Sequence, residues 1–358
     1  MRVLVASDTI GSLSSARAGA ALGTGWPDQD VTVVSLGESR SGFAAAAADQ
    51  LGVELETSVL GDLLVSTAAG AGTVLVAVES VHPHRGPSET EIPVHATSVG
   101  LGDAVSRALQ DAGPALRTLV VDLGEPDVHD GGAGFLGALG AEADVELDAG
   151  VAGLGSLARI SLDRARRRTA GVDLVGVVPF DQLDQRLLGL RGITSMRRGP
   201  ETDPGSLLDT DAALSRFAQL VAPEQAERPG AGACGGLGFA ILALGGRLTT
   251  GSRLALESGS ARQALVSTDL VVTGCTVFDF ARRGGGVVAE AARIATEQLC
   301  PCIAVAGEVL IGGRELRTMG IESAYAVRAP ALTPTRGADV DETELIGTAA
   351  RIGRSWRW

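Results

Sequence analysis

Short apolar runs alternate with helix-length segments at both ends of this chain, and that alternation restricts its fold more than any other feature. The run Val3 to Ala6 is followed by "SDTIGSLSSARAGAAL" and then by "VTVVSL" from Val31. The pattern returns late as "DLVVTG" from Asp269, the helix-like "GGGVVAEAARIATEQL" and "CIAVAG" from Cys302. "ESAYAVRA" from Glu322 adds a strand, and "DETELIGTAARIG" adds a closing helix with acids in its first turn. Near-continuous apolar strands separated by helices belong to a parallel sheet covered on both faces. The centre is more mixed. "TVLVAVES" from Thr73 and "TLVVDL" from Thr118 are strand-like, with the helix "GDAVSRALQDA" between them. "ARISLD" and "DLVGVV" flank the basic run Arg164 to Arg168, expected as a solvated helix face, while "PETDPGSLLDTD" and "APEQAERPG" look like linkers around one helix. This order predicts one α/β domain interrupted by an inserted domain, with no internal repeat.

Composition narrows the class. With 358 residues, 45% hydrophobic and 20% charged, the chain has material for two globular domains. Its formal net charge of −13 argues against partners that are nucleic acid or anionic membrane. No stretch approaches the roughly 18 uninterrupted apolar residues of a membrane helix. "MRVLVASDTIGSL" turns polar too soon for a signal peptide, so a cytoplasmic location is expected. The four cysteines, Cys234, Cys275, Cys300 and Cys302, lack C-x-x-C spacing and are expected as buried reduced thiols. "HPH" (His82, His84) is expected as a solvated turn. All 30 basic residues are Arg, and the chain has no Lys and no Asn. A P-loop lysine, a Schiff-base lysine and a Cys-His-Asn triad are thereby excluded. Any anion must be held by Arg, by backbone N–H groups or by a helix N-terminus.

Four Gly-rich segments fall near strand ends: "SDTIGSLSS", "TSVGLGDA", "DVHDGGAGF" and "PGAGACGGLGFA". Successive glycines let backbone amides approach a phosphate, and a following helix favours its charge. "GAGACG" also fits a loose dinucleotide pattern, which would suit an NAD-dependent enzyme, but no strand directly precedes it. The acids Asp8, Asp130, Asp181, Asp184, Asp269 and Asp279 lie at or near such turns, where Mg²⁺–phosphate chemistry needs carboxylates and where N-caps and Asx-turns also use them.

Taken in order, these segments resemble the bacterial glycerate kinase family over nearly the whole chain. "SDTIGSLSS" (Ser7 to Ser15) is similar to the family's P-D-S-F-K-G-S-L-S-A, and "TSVGLGDAV" from Thr97 to its T-S-y-G-T-G-E-L-I. "VHDGGAGFLGALG" (Val128 to Gly140) resembles T-N-D-G-G-A-G-M-L-x-A-L-G, and "PGAGACGGLG" from Pro229 resembles P-G-A-G-A-A-G-G-L-G. "DLVVTGCTVFD" (Asp269 to Asp279) resembles D-L-V-I-T-G-E-G-R-x-D, and "PCIAVAG" from Pro301 resembles P-V-I-A-I-A-G. The resemblance implies a flavodoxin-like or Rossmann-like parallel-sheet domain, residues 1–60 plus 235–358, an inserted α/β domain, 61–234, and a cleft between them. It implies ATP- and Mg²⁺-dependent phosphorylation of D-glycerate or a related small hydroxy acid. The expected partners are that acid and a nucleotide, with a homodimer left open. The implied catalytic residues are Asp130, Asp279 and Asp8, with Asp130 also as metal ligand. Ser12, Gly131, Gly132, Arg198, Gly232 and Gly235 are the implied substrate- and phosphate-binding residues.

The chain departs from the family pattern where charge is concerned. The lysine of the first motif is absent, with one residue deleted between Ile10 and Gly11. P-x-A-D-G-G-E-G-T falls on "SLGESRSGF", with Glu38 at the Asp and Ser41 at the Glu. The Glu and Arg of T-G-E-G-R are Cys275 and Val277, a later G-K is Gly284-Gly285, and the Asn before D-G-G is His129. Q-K-G becomes Arg197-Arg198-Gly199, where Arg198 keeps a positive charge, and D-V-x-N-P-L survives as "DQLDQRL" with Asp181 and Asp184. Arg40, Arg282 and Arg283 lie close to emptied positions. Phosphoryl transfer depends on positioning and charge stabilisation. The expectation is therefore a divergent phosphotransferase, with a catalytically impaired pseudokinase acting as a sensor or partner-binding module as the alternative.

Overall fold

A computed structural model describes residues 1–80, 92–124, 127–197, 203–257, 259–329 and 339–357. The chain enters through β1 (Arg2–Ser7) and β2 (Asp30–Ser35). It continues through β3 (Glu56–Leu60), β4 (Leu63–Gly70), β5 (Thr73–Ser80), β6 (Thr118–Asp122), the short pair β7 (Glu142–Ala143) and β8 (Ile160–Ser161), β9 (Asp173–Val177) and β10 (Arg247–Thr249). It closes through β11 (Leu270–Phe278), β12 (Cys302–Val309) and β13 (Ser323–Ala326). Two compact units result, residues 1–52 with 250–358, and 53–249.

In the first unit five strands form an all-parallel sheet in the order β13-β12-β11-β1-β2. Numbered by appearance within that unit, this is the flavodoxin-type order, in which the chain changes direction between its first and third strands. β1 shows why the apolar runs predict it. Val3 and Val5 pack on one face with Leu22, Trp26, Leu345 and Ile352, whereas Leu4 and Ala6 pack on the other with Val34, Val287 and Val288. Both faces are buried, so the central positions Val3 to Ala6 are all apolar. The helix Ser15–Gly23 starts at Ser14, whose hydroxyl accepts from Arg17 N. The helix Glu342–Ser355 starts with a full capping box, Asp341 and Glu344 each bonding the other's backbone N–H.

The second unit has a mixed sheet, β10-β9-β6-β5-β4-β3, parallel from β10 to β5 and antiparallel through β4 and β3. β3 and β4 form a hairpin turned at Gly61, and nothing in the apolar pattern had marked that hairpin as strand. Its pairing also corrects the expected boundaries. β3 belongs to the second unit's sheet because it pairs with β4, and β10 because it pairs with β9. The divisions therefore fall at 52/53 and 249/250 instead of 60/61 and 234/235. The stretch expected as a linker before Asp211 is largely helical: Asp203 accepts from Ser206 N and Pro204 opens the helix Pro204–Val221. Asp-Pro is a helix start as readily as a turn. The basic run forms the helix Asp163–Thr169, and it is only partly a solvated face. Arg166 and Arg168 donate to the carbonyls of Ala243 and Ala138.

Candidate functional site

In the first unit the functional side chains gather where β1, β2 and β11 end, beside the point at which strand order reverses. Asp8 follows β1; its backbone N–H donates to Gly274 O, and its Oδ1 accepts from Thr9 N at 2.7 Å. Thr276 on β11 ties the next loop down, accepting from Gly11 N at 3.1 Å and donating to Thr9 O at 3.2 Å. Glu38 lies in the turn after β2, where its backbone exchanges two hydrogen bonds with Ser41. Glu38 Oε1 accepts from Ser252 Oγ at 2.6 Å, while Oε2 is buried without a hydrogen-bond partner. Burial raises the Asp8 pKa to about 6, against the pull of its bonds from Thr9. Burial raises Glu38 to about 7, and the nearby Asp8 charge raises it further against the Ser252 hydrogen bond. Both carboxyls are thus held well above the ordinary carboxylate range, and Glu38 feels the Asp8 charge.

Of the two, the Asp8 carboxylate is the kind of donor a nucleotide-borne Mg²⁺ uses, since that ion takes one or two carboxylates and completes its shell with phosphate oxygens and water. Among the described residues, no group of three or more His, Cys, Asp or Glu could hold a metal by itself.

The other expected residues of this unit are further from such chemistry. Ser12 is exposed. Asp279 Oδ1 accepts from Arg282 N at 2.7 Å, capping the turn that leads to the helix Gly285–Glu297. Arg282 and Arg283 are exposed, and Arg283 lies 5.4 Å over the Phe280 ring. Cys275 is buried, and burial drives its thiol pKa well up, so it cannot supply the ionised group that the family's Glu would.

In the second unit the stretch around Asp130 is built as a knot of loops. Asp130 is fully buried. Its Oδ2 accepts from Ser98 N, Ser98 Oγ and Gly134 N, and its Oδ1 from Gly132 N, at 2.8 to 3.1 Å. Burial raises its pKa, and these four bonds oppose the rise. A carboxylate has about two acceptor sites on each oxygen, so Oδ2 is fully used and Oδ1 holds one donor. The Asp130 side chain therefore joins the helix Val99–Ala112 to the helix Ala133–Ala138, buried between them.

The glycines are spent in the same way. Gly131 N donates to Gly235 O, Gly232 N to Gln185 O, and Cys234 N to Gln182 Oε1. Gly131 N and Gly232 N, two of the amides expected to cradle a phosphate, are spent in joining loops, and Cys234 N adds a third link. Gly235 shows the demand: at φ +66° a Cβ would lie 1.8 Å from Val128 O. Gly132, at φ +79°, would meet Ala240 Cβ at 2.5 Å. "DQLDQRL" serves this knot through Gln182 and Gln185, while Asp181 and Asp184 are exposed. Arg198, His82 and His84 lie outside the described residues.

Beside the knot, His129 is fully buried, and its Nε2 is 3.0 Å from Thr194 Oγ1. Arg197 pairs with Asp127. Ser98, Thr194, Arg197 and Ser252 were not singled out from sequence, because Ser, Thr and Arg are common and these make their contacts over long separations. Glu38 was visible only as a substitution in a familiar motif.

The comparisons agree with this architecture. The model of the glycerate kinase family matches residues 3–357. This chain belongs to the glycerate kinase family. The family is one of kinase-type transferases. A protein of Mycobacterium tuberculosis (strain CDC 1551 / Oshkosh), described only as uncharacterised, is 30% identical over 99% of this chain and 92% of its own length. The glycerate kinase of Bacillus subtilis (strain 168) is 27% identical over 98% of this chain and 96% of its own. The glycerate 2-kinase of Escherichia coli (strain K12) is 26% identical over 91% and 90%. The crystal structure of glycerate kinase 2 from Salmonella typhimurium LT2 superposes with a TM-score of 0.78 at 23% identity, covering 99% of this chain and 98% of that one, and so shares the fold. No helix among the described residues is long and apolar enough to cross a membrane.

Proposed function

We propose that this member of the glycerate kinase family is an ATP-dependent phosphotransferase acting on D-glycerate or a related small hydroxy acid. The observation that carries the reading is the Asp8–Glu38 pair in a chain matched by the family model from end to end. A carboxyl held near neutrality can take the proton of a substrate hydroxyl as it attacks phosphorus, because general-base efficiency peaks when pKa lies near the working pH. Glu38 suits that role: its Oε1 is oriented by Ser252 and its Oε2 is uncommitted. Asp8, fixed by Thr9 N, suits the nucleotide's Mg²⁺, and Glu38 stays off the ion. Bound there, the ion would neutralise phosphoryl charge. Asp279 and the Gly11 to Ser12 loop are placed by the same strand ends. Asp130 and its glycines hold loops in position, and no step is assigned to them.

A coupled assay of ADP release with D-glycerate and a panel of hydroxy acids tests the reading. ATP turnover that depends on one of these acids supports it, and turnover no higher than the acid-free rate for every one of them overturns it.

Cys275 favours a second reading, a sensor that binds without turnover, since a buried un-ionised thiol stands where the family pattern carries a carboxylate. Thermal stabilisation by Mg-ATP or D-glycerate without any turnover would select it.

A further inference from the structure

Two cross-links in the second unit leave a pair of polar atoms with nothing to do. The segment Asp127 to His129 is joined to the end of the helix Ile193–Met196 twice: His129 Nε2 meets Thr194 Oγ1 at 3.0 Å, and the Asp127 carboxylate takes Arg197 Nη2. Thr194 and Arg197 are three residues apart on one helical turn, so they share a face. Each link uses one nitrogen and leaves another. His129 Nδ1 and Arg197 Nη1 are both buried, and neither has a hydrogen-bond partner. Buried polar atoms are almost always paired, so two orphans on adjacent rungs are an uncommon arrangement.

Their chemistry selects the ligand. The guanidinium is a permanent cation and repels the metal ion that a lone imidazole nitrogen would otherwise attract. Burial and the Arg197 charge hold the His129 pKa down at about 4, so the ring is neutral at pH 7. An anion selects the tautomer in which Thr194 donates its hydroxyl proton to Nε2 and the ring's own proton sits on Nδ1, which then donates. Two N–H donors, one of them cationic, are complementary to an oxyanion. Arg197 is about one-quarter exposed, which gives such a ligand a way in.

We propose that His129 Nδ1 and Arg197 Nη1 form an oxyanion-binding site, met by the carboxylate of a hydroxy acid or by the phosphate of a nucleotide. The site deepens the phosphotransferase reading and rests on it only for the identity of the anion.

Isothermal titration calorimetry of the full chain at pH 7.5 with D-glycerate, glycerol and inorganic phosphate tests this. Wild type should bind D-glycerate, phosphate or both, and glycerol should not bind. D-glycerate alone points to a carboxylate site, and phosphate alone to a phosphoryl site. Arg197→Met and His129→Asn should each raise the Kd of the bound anion tenfold or more. Asp127→Asn separates binding from scaffolding. If Arg197 only cross-links the fold, Asp127→Asn and Arg197→Met should weaken binding alike. If Arg197 holds the anion, Asp127→Asn should keep wild-type affinity or tighten it. The proposal falls if wild type binds neither anion, if Arg197→Met stays within twofold of wild type, or if Asp127→Asn loses affinity as Arg197→Met does. The functional reading is judged apart: turnover with an unchanged KM in Arg197→Met removes the site and keeps the activity. Anion binding that Arg197→Met abolishes, in a wild type without turnover, keeps the site and removes the activity.

Discussion

Glu38 Oε1 accepts a hydrogen bond from Ser252 Oγ at 2.6 Å, across 214 positions of sequence. It is one of the bonds by which the two separate pieces of the first unit fix an acidic group that neither piece orients alone. Under the proposed function, Glu38→Gln keeps the shape and the Ser252 bond but removes the base, so turnover should fall about 10²-fold or more. Ser252→Ala should fall less and shift the pH profile upward, since the bond from Ser252 lowers the Glu38 pKa. Steady-state rates between pH 5 and 9 give both results.

The same pair makes stability pH-dependent in a stated direction. Asp8 and Glu38 have folded-state pKa values of about 6 and about 7, above the ordinary 3.8 and 4.5. Between those limits the folded state binds more protons than the unfolded one, so these groups make stability fall as pH rises from about 4 to about 7. Glu38→Gln should therefore melt above wild type at pH 8, and the difference should shrink by pH 4.5, as thermal melts monitored by circular dichroism can show.

Asp130 takes four donors, and Asp130→Ala would leave them buried and unmet. Orphaned donors of this kind typically cost about 1–3 kcal/mol each before relaxation. Urea unfolding should show a loss of about 3 kcal/mol or more, with activity falling in step with the folded fraction. A variant of wild-type stability and no activity would contradict the scaffolding role.

Two glycines with the same backbone sign should respond very differently. Gly235 and Gly171 both have positive φ, but a Cβ at Gly235 would collide with Val128 O at 1.8 Å, whereas at Gly171 it meets nothing within 4 Å. Gly171→Ala should cost about 1–2 kcal/mol from backbone strain alone. Gly235→Ala should collapse the soluble yield, which expression at matched temperature compares directly.

The thiols should divide by burial. Cys234, Cys275 and Cys302 are buried, whereas Cys300 is partly exposed. Burial raises the pKa of Cys275, Cys300 and Cys302. Titration of the native protein with a thiol-specific disulfide reagent should label Cys300 first and the other three only on unfolding.

Much of the fold was legible because its signals are local. The runs at Val3, Leu270 and Cys302 are predominantly apolar, as strands buried on both faces require, and their alternation with helices specified a parallel sheet. Local signals failed where they are ambiguous. "DPGSLLDTD" has the composition of a linker and the capping chemistry of a helix start, and packing of Leu214 and Phe217 in the core decided for the helix. The hairpin β3–β4 has an exposed first strand, so its pairing left little apolar mark.

The parallel-sheet class, the family and the positions of the acids and glycine-rich turns can all be read along the chain. Side-chain period, turn chemistry and motif order are properties of neighbours along the chain. Only the tertiary structure decided what those residues do. Asp130 and an exposed metal-binding carboxylate look the same in sequence. Four donors, two of them the backbone and the hydroxyl of Ser98, are what tie Asp130 into the scaffold. The same holds for Glu38, uncommitted at one oxygen, and for the orphaned nitrogens of His129 and Arg197. Whether a polar atom is spent or left over is settled by partners tens to hundreds of residues away, and no local pattern encodes them.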